Sequence, residues 1–247
     1  MLAVRGFRRL ARGVLVLTLL LLGLASLLLV FWWASARVQE RYTRRWSRCL
    51  LAACGVSVAV HGRPVQEQAA LLVSNHVSWL DIFVINSQRA ASFIAKQEIR
   101  SWPLIGWLVA GVGTIFIDRG NRQAVQGVAE QMRQRFAQRR LVGLFPEGTT
   151  SDGLRVLPFH ASLMAAAANM EMTLYPIALR YAVNGERSIL PAYYGDQSFG
   201  RNLWILLGLA AVEVELHYLP AIEVQSGMDR KVLASLIHQR IAALVEQ

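Results

Sequence analysis

The sequence is poor in cysteine, poor in acidic residues near its amino end, and free of internal repeats and low-complexity linkers. Only Cys49 and Cys54 occur. Their spacing matches neither a redox CxxC pair nor a zinc clip, which leaves a buried role as small hydrophobes. The histidines and carboxylates lack ligand spacing, so neither a metal site nor a cofactor is expected. No GxSxG nucleophile elbow is present, which counts against a serine-hydrolase reading. The 26 basic residues outnumber the 16 acidic ones, a formal charge of +10 over 247 residues. That excess is local: residues 1–48 hold nine arginines against Glu40 alone. A charge confined to one end argues for an anionic membrane surface as partner and against nucleic acid.

What the amino end does have is an apolar run. VLVLTLLLLGLASLLLVFWW, residues 14–33, has twenty residues without a charge and closes on Trp32 and Trp33. Its length and aromatic end fit a membrane segment, and it is longer than the apolar core of a signal peptide. Arg5, Arg8, Arg9 and Arg12 precede it, while Arg37, Arg41, Arg44, Arg45 and Arg48 follow. The positive-inside rule asks for both clusters on the cytoplasmic side, which a single span cannot satisfy and a monotopic segment can. Both forms stay open at this point. Residues 36–54 read as a basic interfacial helix, with Val38, Tyr42, Trp46 and Leu50 on one face.

From residue 55 onward the pattern changes. Short runs rich in β-branched and aromatic residues, at 56–60, 70–74, 92–95, 114–117, 141–145, 174–181 and 212–219, alternate with helical stretches. The expected fold is α/β, a mixed, largely buried sheet flanked by helices, with residues 1–54 as membrane anchor and 55–247 as the catalytic domain. Residues 122–140 form an amphipathic helix with Val125, Val128, Met132 and Phe136 in one stripe. A closing helix at 229–245 presents Val232, Leu236, Ile237, Ile241 and Leu244. The uncharged run 101–117 holds Pro103 and several glycines, so it reads as a surface helix leading into a strand, with Trp102 and Trp107 candidates for touching bilayer or acyl chain.

Two stretches carry candidate chemistry. In SNHVSWLD, residues 74–81, His76 and Asp81 stand five apart, too far out of line to meet on a regular helix. With Ser78 as N-cap and Asp81 at the third helical position, as in a capping box, His76 falls in the preceding loop and the carboxylate leans back towards it. A carboxylate on one ring nitrogen leaves the other free as a general base. The same spacing also suits a loop histidine beside an ordinary cap. In FPEGTTSDG, residues 145–153, an apolar strand ends at Pro146 and delivers Glu147 into a polar loop. There Glu147 can orient a substrate hydroxyl, Gly148 permits close backbone approach, and Thr149 adds a donor and acceptor.

Together these pieces resemble the glycerolipid acyltransferases typified by 1-acylglycerol-3-phosphate (lysophosphatidate) acyltransferase. Four blocks occur in order: Asn75, His76 and Asp81; Gly113, Ile115, Phe116, Ile117, Asp118 and Arg119; Phe145 to Thr149; and Tyr175, Pro176 and Ile177. The resemblance implies acyl transfer from acyl-CoA or acyl carrier protein to the hydroxyl of a lysolipid, with His76 as base and Asp81 as its orienter. It also implies acceptor binding by Arg119, Glu147, Gly148 and Thr149, with Asn75 and Thr150 as further candidates; Lys96, which follows a strand run, is a candidate for an acceptor or donor phosphate. It places the enzyme on a bacterial inner membrane, with the site facing the cytoplasm. Thr150 stands where the family often carries arginine, which weakens the case for 1-acylglycerol-3-phosphate as acceptor and raises that of a phosphate-free one such as lyso-ornithine lipid. A lipid hydrolase or thioesterase, with water replacing the hydroxyl, is the reading from a different class.

Overall fold

The computed structural model describes residues 2–66, 69–117 and 122–247, with only the backbone described for residues 2 and 122–126. The chain opens with helix α1 (Leu2–Ser26), extended by a π-helical turn (Leu27–Phe31), and returns as α2 (Ala36–Cys54). The two helices lie side by side: Trp46 Nε1 donates to the Leu19 carbonyl at 2.9 Å and Tyr42 Oη to Ser26 Oγ at 2.6 Å. Gly55, at φ +74°, ends α2 in the left-handed conformation that a β-carbon disfavours. Leu50 is buried, and Tyr42 and Trp46 are half-buried towards α1, so the stripe expected to face lipid packs mainly on the neighbouring helix. Val38 alone of the four is exposed. Cys54 is buried, its thiol pushed up to about 12 chiefly by burial, whereas Cys49 is exposed on α2, contrary to the expected structural role.

The sheet contains β1 (Val56–His61), β2 (Leu71–Ser74), β3 (Ala91–Lys96), β4 (Ile115–Ile117), β5 (Leu141–Leu144), β6 (Met172–Val183), β7 (Glu186–Arg187), β8 (Val212–Tyr218) and β9 (Ile222–Val224). Its order is β1-β8-β6-β2-β5-β3-β4, with β7 and β9 also paired to β6. The run β6-β2-β5-β3-β4 is parallel, and β8 reverses direction beside β6. Every residue of β2 and of β5 is buried, as central strands covered on both faces require. One face packs on α1, α2, α3 (Leu80–Asn86) and α7 (Phe199–Gly208), through Leu50, Val84, Leu179, Leu206 and Val214. The other packs on α5 (Arg122–Ala137), α6 (Ala161–Ala168) and α8 (Arg230–Val245), through Met132, Met164, Leu174, Leu233 and Ile237. Helices α1 and α2 therefore share a core with the sheet.

All seven expected strand runs form strands, and the run 101–117 becomes α4 (Ile105–Gly111) followed by β4. In α5, Val128 and Met132 are buried and Phe136 half-buried, as its stripe predicts, while the side chain of Val125 lies outside the described residues. Helix α8 keeps its expected stripe at Ile237 and Ile241, which are buried, and at Leu236 and Leu244, which are half-buried; Val232 departs at 62 % exposed, and Leu233 and Val245 are buried beside the stripe. Asp229 sets that phase by accepting hydrogen bonds from the Lys231 and Val232 N–H groups as N-cap.

Candidate functional site

Val73 of β2 and Leu144 of β5 are register partners on adjacent parallel strands. His76 and Glu147 each lie three residues further on, so their loops leave the carboxyl edge of the sheet side by side, where α/β sheets build their sites. Lys96 ends β3 in the same row. Arg119, which follows β4 in sequence, lies outside the described residues.

His76 Nδ1 is 2.7 Å from Asp81 Oδ2. The same oxygen accepts the N–H groups of Val77 (2.7 Å) and Ser78 (3.0 Å), and Oδ1 accepts the Tyr181 hydroxyl at 2.6 Å. Four donors thus hold a fully buried carboxylate in one orientation. Burial, and then the charge and hydrogen bond of Asp81, push the Tyr181 hydroxyl well above its ordinary value, so Tyr181 stays a donor. With Nδ1–H donating to Asp81, Nε2 is the ring's free acceptor, and His76 lines the cavity described below. Helix α3 begins at Leu80, one residue later than a Ser78 cap would give, and the Ser78 hydroxyl is buried without a hydrogen-bond partner. The cap runs the other way, from backbone N–H groups to Asp81.

The imidazole lies flat on Phe145, with centroids 4.0 Å apart and planes 10° apart, and Phe145 stacks on Phe93 at 5.3 Å. Gly143 makes room for that shelf, because a β-carbon there would overlap the Phe93 ring. We expect Gly143→Ala to displace Phe93 and hence tilt the imidazole, lowering turnover by about 10²-fold, the scale of a 1 Å misplacement. Steady-state kinetics on folded protein would check it; an unchanged rate would show the shelf to be dispensable.

Glu147 departs from its expected role. It is buried, and rather than facing substrate its Oε1 accepts the His76 N–H at 2.6 Å and its Oε2 the Leu157 N–H at 3.0 Å. Ser151 N–H donates to the His76 carbonyl at 2.8 Å, so both backbone polar groups of the histidine are gripped by this loop. Burial pushes the Glu147 carboxyl up to about 8, with the Asp81 charge adding to it, while the two N–H donors and Ser151 oppose. A carboxyl whose pKa rises on folding stabilises the fold fully below pH 4.5 and loses that contribution as pH climbs through about 8. In Glu147→Gln one N–H donor must face the amide NH2, a cost of about 1–3 kcal/mol. Thermal unfolding across that pH range should therefore show a less stable variant with a flatter pH dependence.

Asn75 is likewise turned inward. Its Nδ2 donates to the Leu179 carbonyl at 3.0 Å and its Oδ1 accepts the Leu179 N–H at 2.8 Å, which ties the loop to β6 and uses the amide that was a candidate for substrate. Lys96, Gly148, Thr149 and Thr150, in contrast, line with His76 a cavity of about 490 Å³. Gly148 sits at φ +73°. The cavity extends from these polar residues between α1, α2 and α4, along Leu20, Gly23, Leu27, Trp46 and Leu108. Trp79, Tyr193 and Phe199 also line it, and Asn202 bridges Trp79 Nε1 to the Ala192 carbonyl. These residues and Tyr181 escape sequence reading because their partners lie on other elements; the one signal is strand alternation, which puts Leu179 and Tyr181 on a common face.

A protein-family model described as Acyltransferase matches residues 57–180, half of the chain. A 1-acyl-sn-glycerol-3-phosphate acyltransferase of Neisseria meningitidis serogroup B is 34 % identical over 80 % of this chain and 78 % of its own. A lyso-ornithine lipid O-acyltransferase of Pseudomonas aeruginosa is 36 % identical over 83 % of this chain and 78 % of its own. The crystal structure of the 1-acyl-sn-glycerophosphate (LPA) acyltransferase PlsC from Thermotoga maritima superposes with a TM-score of 0.72, covering 98 % of this chain and 96 % of that one at 19 % identity, a likeness of fold. The matched span runs from β1 through most of β6 and so contains both loops that meet at His76; with that coverage and those identities, the chain belongs to the Acyltransferase family and is an acyltransferase.

Proposed function

We propose that the protein transfers a fatty acyl group from a thioester, acyl-CoA or acyl carrier protein, to the free hydroxyl of a lysolipid, with 1-acylglycerol-3-phosphate as acceptor and phosphatidate as product. The observation that carries this reading is the cavity, polar beside His76 and apolar between the anchor helices, which suits an acyl chain whose carbonyl ends at the imidazole. His76 Nε2 takes the acceptor hydroxyl proton as its oxygen attacks the thioester carbonyl, and Asp81 balances the imidazolium charge. The tetrahedral intermediate collapses by expelling thiolate. A thiol pKa near 8.5 makes that a competent leaving group, and the imidazolium can return its proton to it. No acyl-enzyme is required. The Ser74 and Ser78 hydroxyls are buried and have no hydrogen-bond partner, which supports transfer over a serine-based hydrolase.

Among the described residues Lys96 is the one lysine or arginine lining the cavity, and it supports an acceptor phosphate there, with Arg119 as second candidate. The second reading keeps the chemistry and takes a phosphate-free acceptor, lyso-ornithine lipid. Thr150, lining the cavity where the resemblance would put arginine, favours it. Purified protein given labelled thioester and a panel of lysolipids decides: preference for 1-acylglycerol-3-phosphate supports the first reading, and indifference to the phosphate overturns it. For the apolar end, a side chain at Gly23 would meet Trp46 and Leu108, 3.0 and 3.1 Å from its β-carbon. Gly23→Leu should shift preference towards shorter acyl chains in a competition among thioesters; an unchanged preference would place the chain elsewhere.

Residues 1–54 are the membrane anchor of this enzyme and 55–247 its catalytic domain. The anchor lies in one leaflet of a bacterial inner membrane, with the site at the cytoplasmic face. Ala3–Phe31 is long and apolar enough to cross a membrane by length and composition. However, α2 returns along its distal half, and a full span would carry Arg41 and Arg45 into hydrocarbon at about 2.5–3.5 kcal/mol each. At the proximal end Arg9 and Arg12 donate to the carbonyls of Trp204, Leu209 and Ala210, satisfying the negative end of α7. At the other end Trp33 is 90 % exposed at the turn, as an interfacial anchor would be.

A further inference from the structure

Away from the acyl-transfer site, the edge pair β1 and β8 brings together three side chains that sequence spacing never associates. The strands run parallel with His61 opposite His217 and Ala59 opposite Glu215. Strand alternation puts Glu215 and His217 on one face of β8, opposite the buried Val214, Leu216 and Tyr218. The two imidazoles stack with centroids 4.4 Å apart and planes at 14°. Glu215 Oε2 lies 3.3 Å from His217 Nε2, and one ligand atom from each of the three residues falls within 4.8 Å of the others.

We propose that His61, Glu215 and His217 bind a divalent transition-metal cation of the zinc class, with water completing the coordination. Two imidazoles and one carboxylate are a ligand set that zinc accepts, and imidazole selects it over magnesium and calcium. Metal–ligand bonds of about 2.0–2.2 Å require the three atoms to close on one another by small side-chain rotations, which the exposed His61 and half-buried Glu215 can make. The ion would tie β1, the strand that receives the chain from α2, to β8, and so brace the junction between anchor helices and sheet. One neighbour works against it: Arg180 on β6, the register partner of Glu215, has Nη1 3.7 Å from the same Oε2. Its charge weakens cation binding and competes for the carboxylate.

The test is calorimetric titration of zinc chloride into the full-length, detergent-solubilised protein carrying no histidine tag. One bound equivalent is expected, with a rise in melting temperature on adding zinc. Both should be lost in His61→Ala and in His217→Ala and weakened in Glu215→Gln, while Arg180→Met should bind several-fold more tightly. Metal-free unfolding matching the unaltered protein shows that each variant is folded, and His61, on the exposed edge, is the least prone to disturb the sheet. Absence of zinc uptake by the unaltered protein, or uptake undiminished in His61→Ala and His217→Ala, overturns the proposal.

Discussion

Replacing His76 by alanine is expected to lower acyl transfer by about 10²–10⁴-fold, the range that a positioned general base contributes, while leaving the protein folded. The imidazole is 19 % exposed, lines the cavity and rests on Phe145, so its removal enlarges a space that water can fill. The backbone of residue 76 keeps its bonds to Glu147 and Ser151, which do not depend on the side chain. The loss should therefore fall on kcat, with KM for either substrate changing little, because the base acts on the proton in flight and holds neither substrate by a charge. Unaltered kcat in a folded His76→Ala protein would remove the histidine from the chemistry.

Asp81→Asn should be nearly as damaging to rate and much gentler to the fold, whereas Tyr181→Phe should do the reverse. In the asparagine variant the remaining oxygen can still accept from His76, Val77 and Ser78, and the amide NH2 can turn to Tyr181, whose oxygen is able to accept. The geometry survives, but the negative charge is gone and with it the unambiguous acceptor that fixes the imidazole tautomer, and in an analogous triad the same substitution costs about 10⁴-fold. In Tyr181→Phe the charge and its three nitrogen donors remain, so rate should fall modestly. One buried carboxylate oxygen then lacks its partner, at about 1–3 kcal/mol of stability. Parallel kinetics and denaturant unfolding on the two variants separate the effects. A slow, unstable Asp81→Asn beside an unaffected Tyr181→Phe would mean that Asp81 serves chiefly as a cap.

What could be read from the residues was whatever depends on near neighbours. The strand runs are short, β-branched and separated by helical patterns, and His76 with Asp81 needs only one local turn to meet. What escaped depends on which strands lie side by side. Glu147 looks like a substrate ligand when its loop is read alone, and becomes a clamp on His76 only once β2 and β5 are neighbours in register. Tyr181 lies 100 residues from Asp81 and has no local signal. Helix α6 is apolar around most of its circumference, so no stripe announces it. Val232, at the first turn of α8, departs for a related reason: Val232 and Leu233 are both apolar, and only the Asp229 cap and the packing against α6 decide which points inward.

The most direct measurement identifies the product. Purified protein in lipid vesicles is given a labelled acyl thioester and lysolipid acceptors, and the label is followed by mass spectrometry. Acyl transfer by His76 predicts label in a two-chain lipid, stoichiometric with released thiol, and its loss in His76→Ala. Label released only as free fatty acid, or two-chain lipid formed equally well without His76, would contradict it.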